Sequence, residues 1–176
     1  IEAMRPYGGF EHNDQSLRVV TAIEEKYPEW DGLNLTWETL EGIVKHNGPV
    51  VAPKLPYMLK KIQLQTDLRL NTYATLEAQI AAIADDIAYN NHDVEDGLNA
   101  GLFSLDDLSK DVPLMNDVVS RLEERYPTLS GPRFNGEVIR EMIGGMVRDV
   151  LAETQARLGN HNVKDVEDVR NASMQM

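Results

Sequence analysis

The stretch that decides the fold is Thr75-Leu76-Glu77-Ala78-Gln79-Ile80-Ala81-Ala82-Ile83-Ala84-Asp85-Asp86-Ile87-Ala88-Tyr89-Asn90-Asn91-His92-Asp93. It is rich in Ala, Ile, Leu, Glu and Gln, so residues 75–92 are expected to form a helix. Residues 93–100 either extend that helix or restart it after a bend, with a stop at Gly101. At about 100° per residue, Asp85, Tyr89, His92 and Asp93 fall within about 100° of arc. Ala78, Ala81 and Ala82 continue the same face toward the N-terminus. Leu76, Ile80, Ile83, Ile87 and Val94 occupy the opposite face. Surface helices usually carry Lys and Glu on their polar side. Small residues joined to acids, a Tyr and a His predict instead a helix packed on both sides, its polar groups aimed into a cleft.

The rest of the chain reads as further helices. Residues 11–26 carry Leu17, Val20 and Ile23 on one side and end at the Tyr27-Pro28-Glu29-Trp30-Asp31-Gly32 loop, since Pro cannot continue a helix. Thr36 caps a helix over 36–46, which Asn47-Gly48 closes. A loop with three prolines spans 49–56, and 57–72 form a short helix followed by a turn. Ser104 caps a segment over 105–110. Pro113 opens a helix over 113–125 that Tyr126-Pro127 ends. A long helix covers 135–158, and a short one 163–171. The Gly144-Gly145 pair of the long helix is expected to allow close approach of another helix. No strand, hairpin or repeat is visible, so the expected fold class is all-α, with 1–176 as a single helical region.

Composition narrows the function. The chain has 176 residues, enough for a real core, and no run long and apolar enough to span a membrane. A formal net charge of −12 repels phosphate backbones and disfavours non-specific nucleic-acid binding. Cysteine is absent, which removes disulfides and thiolate metal sites and suits a cytoplasmic protein. The chain opens on Ile1 without a leader-like apolar segment, as expected of a processed or truncated piece.

P-loop, dinucleotide and nucleophile-elbow motifs are absent. The histidines lack the i, i+4 spacing of helical zinc sites. His92 beside a helix end is a cap or a satisfied polar contact before it is a metal ligand. Asp85 on an apolar helix is either a ligand for a hard divalent metal or a salt-bridge partner of Arg140 or Arg148. Tyr89 offers a flat face for a sugar or base, and Asp93 can accept from a sugar hydroxyl; ordinary packing is the alternative for Tyr89.

Residues 83–93 followed by Asp96-Gly97-Leu98 closely resemble bacterial deoxyguanosinetriphosphate triphosphohydrolase-like proteins of the HD superfamily. Gly8-Gly9-Phe10-Glu11-His12-Asn13 with Gln15-Ser16-Leu17-Arg18 agrees, as do residues 34–42, Lys45-His46-Asn47-Gly48-Pro49 and Asp168-Val169-Arg170-Asn171-Ala172. The resemblance implies an all-α HD-type bundle that splits a dNTP into deoxynucleoside and triphosphate. It implies a divalent metal such as Mg²⁺ or Mn²⁺, held by a His, a His-Asp pair and a distant Asp that corresponds to Asp85. Tyr89 then lies near the deoxyribose and Asp93 binds the 3′-hydroxyl. The family's first His, its His-Asp pair and its acid/base residues fall upstream of Gly8, so the catalytic groups are expected outside this chain. His92-Asp93 is not the signature pair. Homo-oligomers are expected from the same likeness. The alternative is a non-catalytic helical module for nucleotide binding or assembly.

Overall fold

A computed structural model describes residues 2–7, 9–51 and 55–176. Gly8 of the glycine pair and Pro53 of the proline loop lie outside the described residues. Among the described residues eight α-helices follow in chain order: α1 His12–Arg18, α2 Trp37–Val44, α3 Tyr57–Gln63, α4 Leu76–Asn99, α5 Leu105–Asp111, α6 Pro113–Arg125, α7 Pro132–Asn160 and α8 Val166–Arg170. A 3₁₀ helix over Glu2–Tyr7, which the sequence did not announce, precedes them. Among the described residues the only β-type pairing is a single Glu25–Gly32 bridge, so the chain is all-α. None of the described helices is long and apolar enough to cross a membrane. The chain divides into two compact units, one of Ile1–Ala82 with Asn162–Met176 and one of Ile83–His161.

In the first unit, Leu17, Val44, Met58, Leu59, Ile62 and Leu68 form the core. The Glu11 carboxylate caps α1, accepting from the amides of Asn13 and Asp14. The helix expected over 11–26 is shorter than its periodicity implied. It ends as an α-helix at Arg18, widens into a π turn over Val19–Ile23, and stops. Leu33 N–H donates to the Val20 carbonyl (2.8 Å), and the Glu24 amide reaches back to Val19 instead. The Thr21 hydroxyl donates to the Leu17 carbonyl at 2.6 Å, a local bond that also loosens the α ladder.

Gly32 completes this turn. It has φ +71°, and a Cβ there would collide with the backbone of Val20 and Thr21. Neither obstacle can move aside as a flexible side chain would. Gly32→Ala is therefore expected to destabilise the unit by about 2–3 kcal/mol, read from urea denaturation. An unchanged midpoint would show that the turn reshapes freely.

Thr36 caps α2 as expected, although the helix ends at Val44 rather than His46. The helix and turn anticipated after residue 56 are present as α3 and the bonded turn over 62–66. Asp165 caps α8, whose bounds lie inside the expected 163–171.

Between α2 and α8 lies a buried ionic cluster. Glu41 is fully buried, and its carboxylate accepts from Arg170 Nε and Nη2 at 3.2 and 3.0 Å. Lys45 Nζ donates to Glu41 at 2.8 Å, to Thr72 Oγ1 at 3.0 Å and to the Tyr73 carbonyl at 3.4 Å. The Arg170 guanidinium also bonds Glu167 and sits 4.8 Å from the Trp37 ring centre. Glu167 in turn takes a bidentate pair from Arg69 at 2.8 and 2.7 Å. Burial pulls the Lys45 amine below its ordinary value despite Glu41, whereas the hydrogen bond it donates to Glu41 holds Arg170 above its own.

In the second unit, Met115, Val118, Val119, Leu122, Phe134, Val138 and Met142 make the core, with Val94, Leu105, Leu108 and Met146 packed against it. Ser104 and Asp107 form a reciprocal capping box on α5. Pro113 and Pro132 start α6 and α7, where a missing N–H costs nothing. Among the described residues, no other helix closely approaches Gly144-Gly145, contrary to expectation. A Cβ at Gly145 would meet nothing within 4 Å, and one at Gly144 only the Arg148 guanidinium, because the pair lies beyond Met142, the last buried residue of α7.

Candidate functional site

Helix α4 carries every candidate residue. It runs unbroken to Asn99, so the bend allowed for after His92 is absent. Gly101, at φ +69°, ends it: Leu102 N–H bonds the Gly97 carbonyl (3.0 Å) and Gly101 N–H the Leu98 carbonyl (3.2 Å). Gly97 itself is demanded by packing, since a Cβ there would enter the Phe103 ring.

Asp85, Tyr89 and Asp93 stand one turn apart on one side of α4. The backbone rise between successive members is about 6 Å. That spacing is the one the sequence implied. The surroundings are not. Asp85, His92 and Asp93 are exposed and Tyr89 is 67% exposed, so within the described residues the face is open rather than packed on both sides. Of the two arginines considered for Asp85, Arg140 pairs with Glu137 on α7 and Arg148 stands against Gly144, while Asp85 itself takes part in a polar or electrostatic interaction. His92 Nδ1 lies 3.5 Å from Glu95 at the surface, a polar contact of the kind expected for it.

The buried side of α4 holds what the sequence pattern missed. Gln79 and Asn91 are buried at 6% and 3% exposure, while Ile80 is 38% exposed. Gln79 donates to the Ala74 carbonyl and accepts from the Met176 amide at 2.8 Å. Asn91 donates to the Ile87 carbonyl at 2.7 Å and lies 3.3 Å from Met146 Sδ. Satisfied amides can replace apolar residues in a core, and no periodicity rule announces them. Toward the N-terminus, Ala78, Ala81 and Ala82 face α2 across a groove of about 410 Å³ lined by Glu38, Thr39, Gly42, Ile43 and His46. Gly42 keeps it narrow: a Cβ there would come within 2.9 Å of the Ala78 Cβ.

A metal was the cofactor expected at Asp85. Among the described residues no three His, Asp or Glu side chains converge on a common point. One carboxylate does not make a divalent-metal site, so these residues alone do not fit the group.

The candidate site is thus one face of a long helix in an all-α chain, an acid–phenol–acid ladder exposed among the described residues. No family model matches the sequence. The chain is a relative of proteins named deoxyguanosinetriphosphate triphosphohydrolase-like. It is 54% identical over 172 residues to one from Parvibaculum lavamentivorans, covering 95% of this chain and 43% of that protein. It is 52% identical over 167 residues to one from Cereibacter sphaeroides, with 95% and 44% covered. A third, from Rhodopseudomonas palustris, is 49% identical over 184 residues, with 98% and 45% covered. The chain therefore spans less than half the length of these relatives.

Proposed function

We propose that this chain forms part of a metal-dependent hydrolase that releases intact triphosphate from a dNTP, with α4 supplying one wall of the substrate site. The observation that carries the reading is the open Asp85–Tyr89–Asp93 ladder, set in a sequence akin to proteins whose names describe that activity. Asp85 donates one carboxylate to a Mg²⁺ or Mn²⁺ whose remaining ligands come from other segments. Such an ion, when bound, supplies Lewis-acid chemistry at a phosphoryl oxygen or a bound water. Tyr89 lays its ring against the deoxyribose, which removes an exposed aromatic face from water. The Asp93 carboxylate accepts from the sugar 3′-hydroxyl and fixes its orientation. The acid and base lie outside this chain in this reading. Assembly into a homo-oligomer and a cytoplasmic location belong to it as well.

Full-length protein given Mn²⁺ or Mg²⁺ and a dNTP is expected to release deoxynucleoside and triphosphate in equal amounts. Release of pyrophosphate and a nucleoside monophosphate would assign a different reaction. The 176-residue chain alone is expected to show no turnover in the same assay, because it offers one ligand where several are needed. Robust turnover by the isolated chain would refute that ligand count.

The incomplete donor set favours a second reading, a helical module that binds a nucleotide without hydrolysing it. Full-length protein that gains thermal stability with a dNTP yet never consumes it would select the second reading.

A further inference from the structure

The loop that follows the π turn of the first unit turns two aromatic rings outward. Trp30 is 54% exposed and Tyr27 53%, in the stretch Tyr27-Pro28-Glu29-Trp30-Asp31-Gly32. Both border a concavity of about 690 Å³ that no residue of α4 lines. The loop is closed at its base, where Glu25 and Gly32 form the parallel bridge and the Leu33 amide donates to the Val20 carbonyl. Pro28 stiffens it further, with a fixed φ and no amide to satisfy. Glu24, Glu25, Glu29 and Asp31 line the same space against one cation, Lys26, which lies 3.9 Å from Glu24. Glu25, Glu29 and Asp31 are exposed and make no ion pair among the described residues.

Acids alone are ordinary on a chain with a formal net charge of −12. The rings are not, since a Trp and a Tyr held in water forgo the burial that makes such side chains worth ordering. On a pre-shaped loop they are efficient anchors, because they bury a large area at little further cost in entropy. The charge around them selects the partner. A guanidinium stacks on an aromatic face and meets a carboxylate as a planar fork, so it uses both features at once. A bare metal ion does not, as no three acids among the described residues converge on one point. We propose that the Tyr27–Trp30 loop is a docking surface for an arginine-bearing segment of another protein, its guanidinium groups laid on the two rings and paired with Glu25, Glu29 and Asp31. Three unpaired carboxylates call for more than one arginine in that segment. The inference does not rest on the role given to Asp85, Tyr89 and Asp93.

The test is a fluorescence-anisotropy titration of full-length protein into a labelled Gly-Arg-Gly-Arg-Gly-Arg-Gly peptide. Saturable binding is expected. Trp30→Ala should weaken it by about tenfold and Tyr27→Ala by several-fold, whereas Trp30→Phe should keep most of it. The E25Q/E29Q/D31N variant should weaken it by about tenfold and blunt its sensitivity to salt. A peptide with lysine at the arginine positions should bind several-fold less well. These side chains are exposed, so the variants should melt like the parent. A D117N/E123Q/E124Q variant, which removes three exposed acids of α6, should bind the arginine peptide as the parent does. Absence of saturable binding, or full affinity in Trp30→Ala, overturns the proposal. So does an equal loss in D117N/E123Q/E124Q, which would reduce the effect to net charge. A smaller assembly for Trp30→Ala in sedimentation would assign the loop to contacts between copies of this chain and overturn it as well.

Discussion

On the proposed function, full-length protein carrying Asp85→Ala is expected to lose triphosphate release by about a hundredfold, as loss of one metal ligand would cause. The residue is exposed and alanine favours helix, so α4 should persist and the far-ultraviolet dichroism should be unchanged. Asp85→Asn keeps the shape and removes the charge, and it should lose nearly as much. Added Mn²⁺ at high concentration should recover part of the activity in Asn before Ala, because a weakened ligand set responds to mass action. Undiminished turnover in the Ala variant would remove Asp85 from the metal and leave the α4 ladder a sugar-binding face at most. Tyr89 and Asp93 substitutions should instead raise KM more than they lower kcat, the pattern of lost ground-state binding.

Arg170→Met is expected to destabilise the first unit by about 3–5 kcal/mol, measured by chemical denaturation, because it strands the fully buried Glu41 carboxylate with Lys45 alone. Arg69→Ala should cost far less, since the Arg69–Glu167 pair is open to solvent. Replacing Glu41, Lys45 and Arg170 together by apolar residues should cost less than Arg170→Met, as removal of the whole cluster leaves no lone charge. Equal losses in all three variants would show that the ion pairs are incidental to packing. The cluster also sets an acid dependence. Hydrogen bonds from Arg69, then Arg170, hold the Glu167 carboxyl at about 2, against an ordinary 4.5. A carboxyl depressed on folding stabilises above its unfolded value and loses that contribution as pH falls toward the folded one. Stability from Glu167 is thus complete above about 4.5 and declines from there toward 2, and Glu167→Gln should flatten that decline.

Much of the fold could be read from local chemistry, and the reasons are specific. Helix α6 begins and ends where Pro113 and Pro127 put it, and Ser104 and Thr36 cap the helices they precede. These signals act within a few residues. The end of α1 depends on Leu33, whose amide takes the Val20 carbonyl from a distant loop, so a periodicity over 11–26 overruns it. The Glu41–Arg170 pair joins residues 129 apart in sequence, and nothing in either neighbourhood announces it. Gln79 and Asn91 look polar in sequence and lie in the interior because local carbonyls satisfy their amides, joined by the distant Met176 amide for Gln79 and Met146 Sδ for Asn91. At the candidate site, helical spacing alone put Asp85, Tyr89 and Asp93 on one face. Their exposure was not legible, because it depends on what other segments cover that face.

The tie between Glu41 and Arg170 bears on the order in which this chain matures. The first unit is assembled from residues on both sides of an intervening 83–161 stretch, and Arg170 lies in its trailing piece. During synthesis α2 therefore leaves the ribosome long before its guanidinium partner exists. Until residues 166–170 emerge, Glu41 lacks its guanidinium partner, and its full burial waits on that segment. The second unit draws its core from a single continuous run, so it can close first. Of these two units, the one that begins first is therefore the later to close.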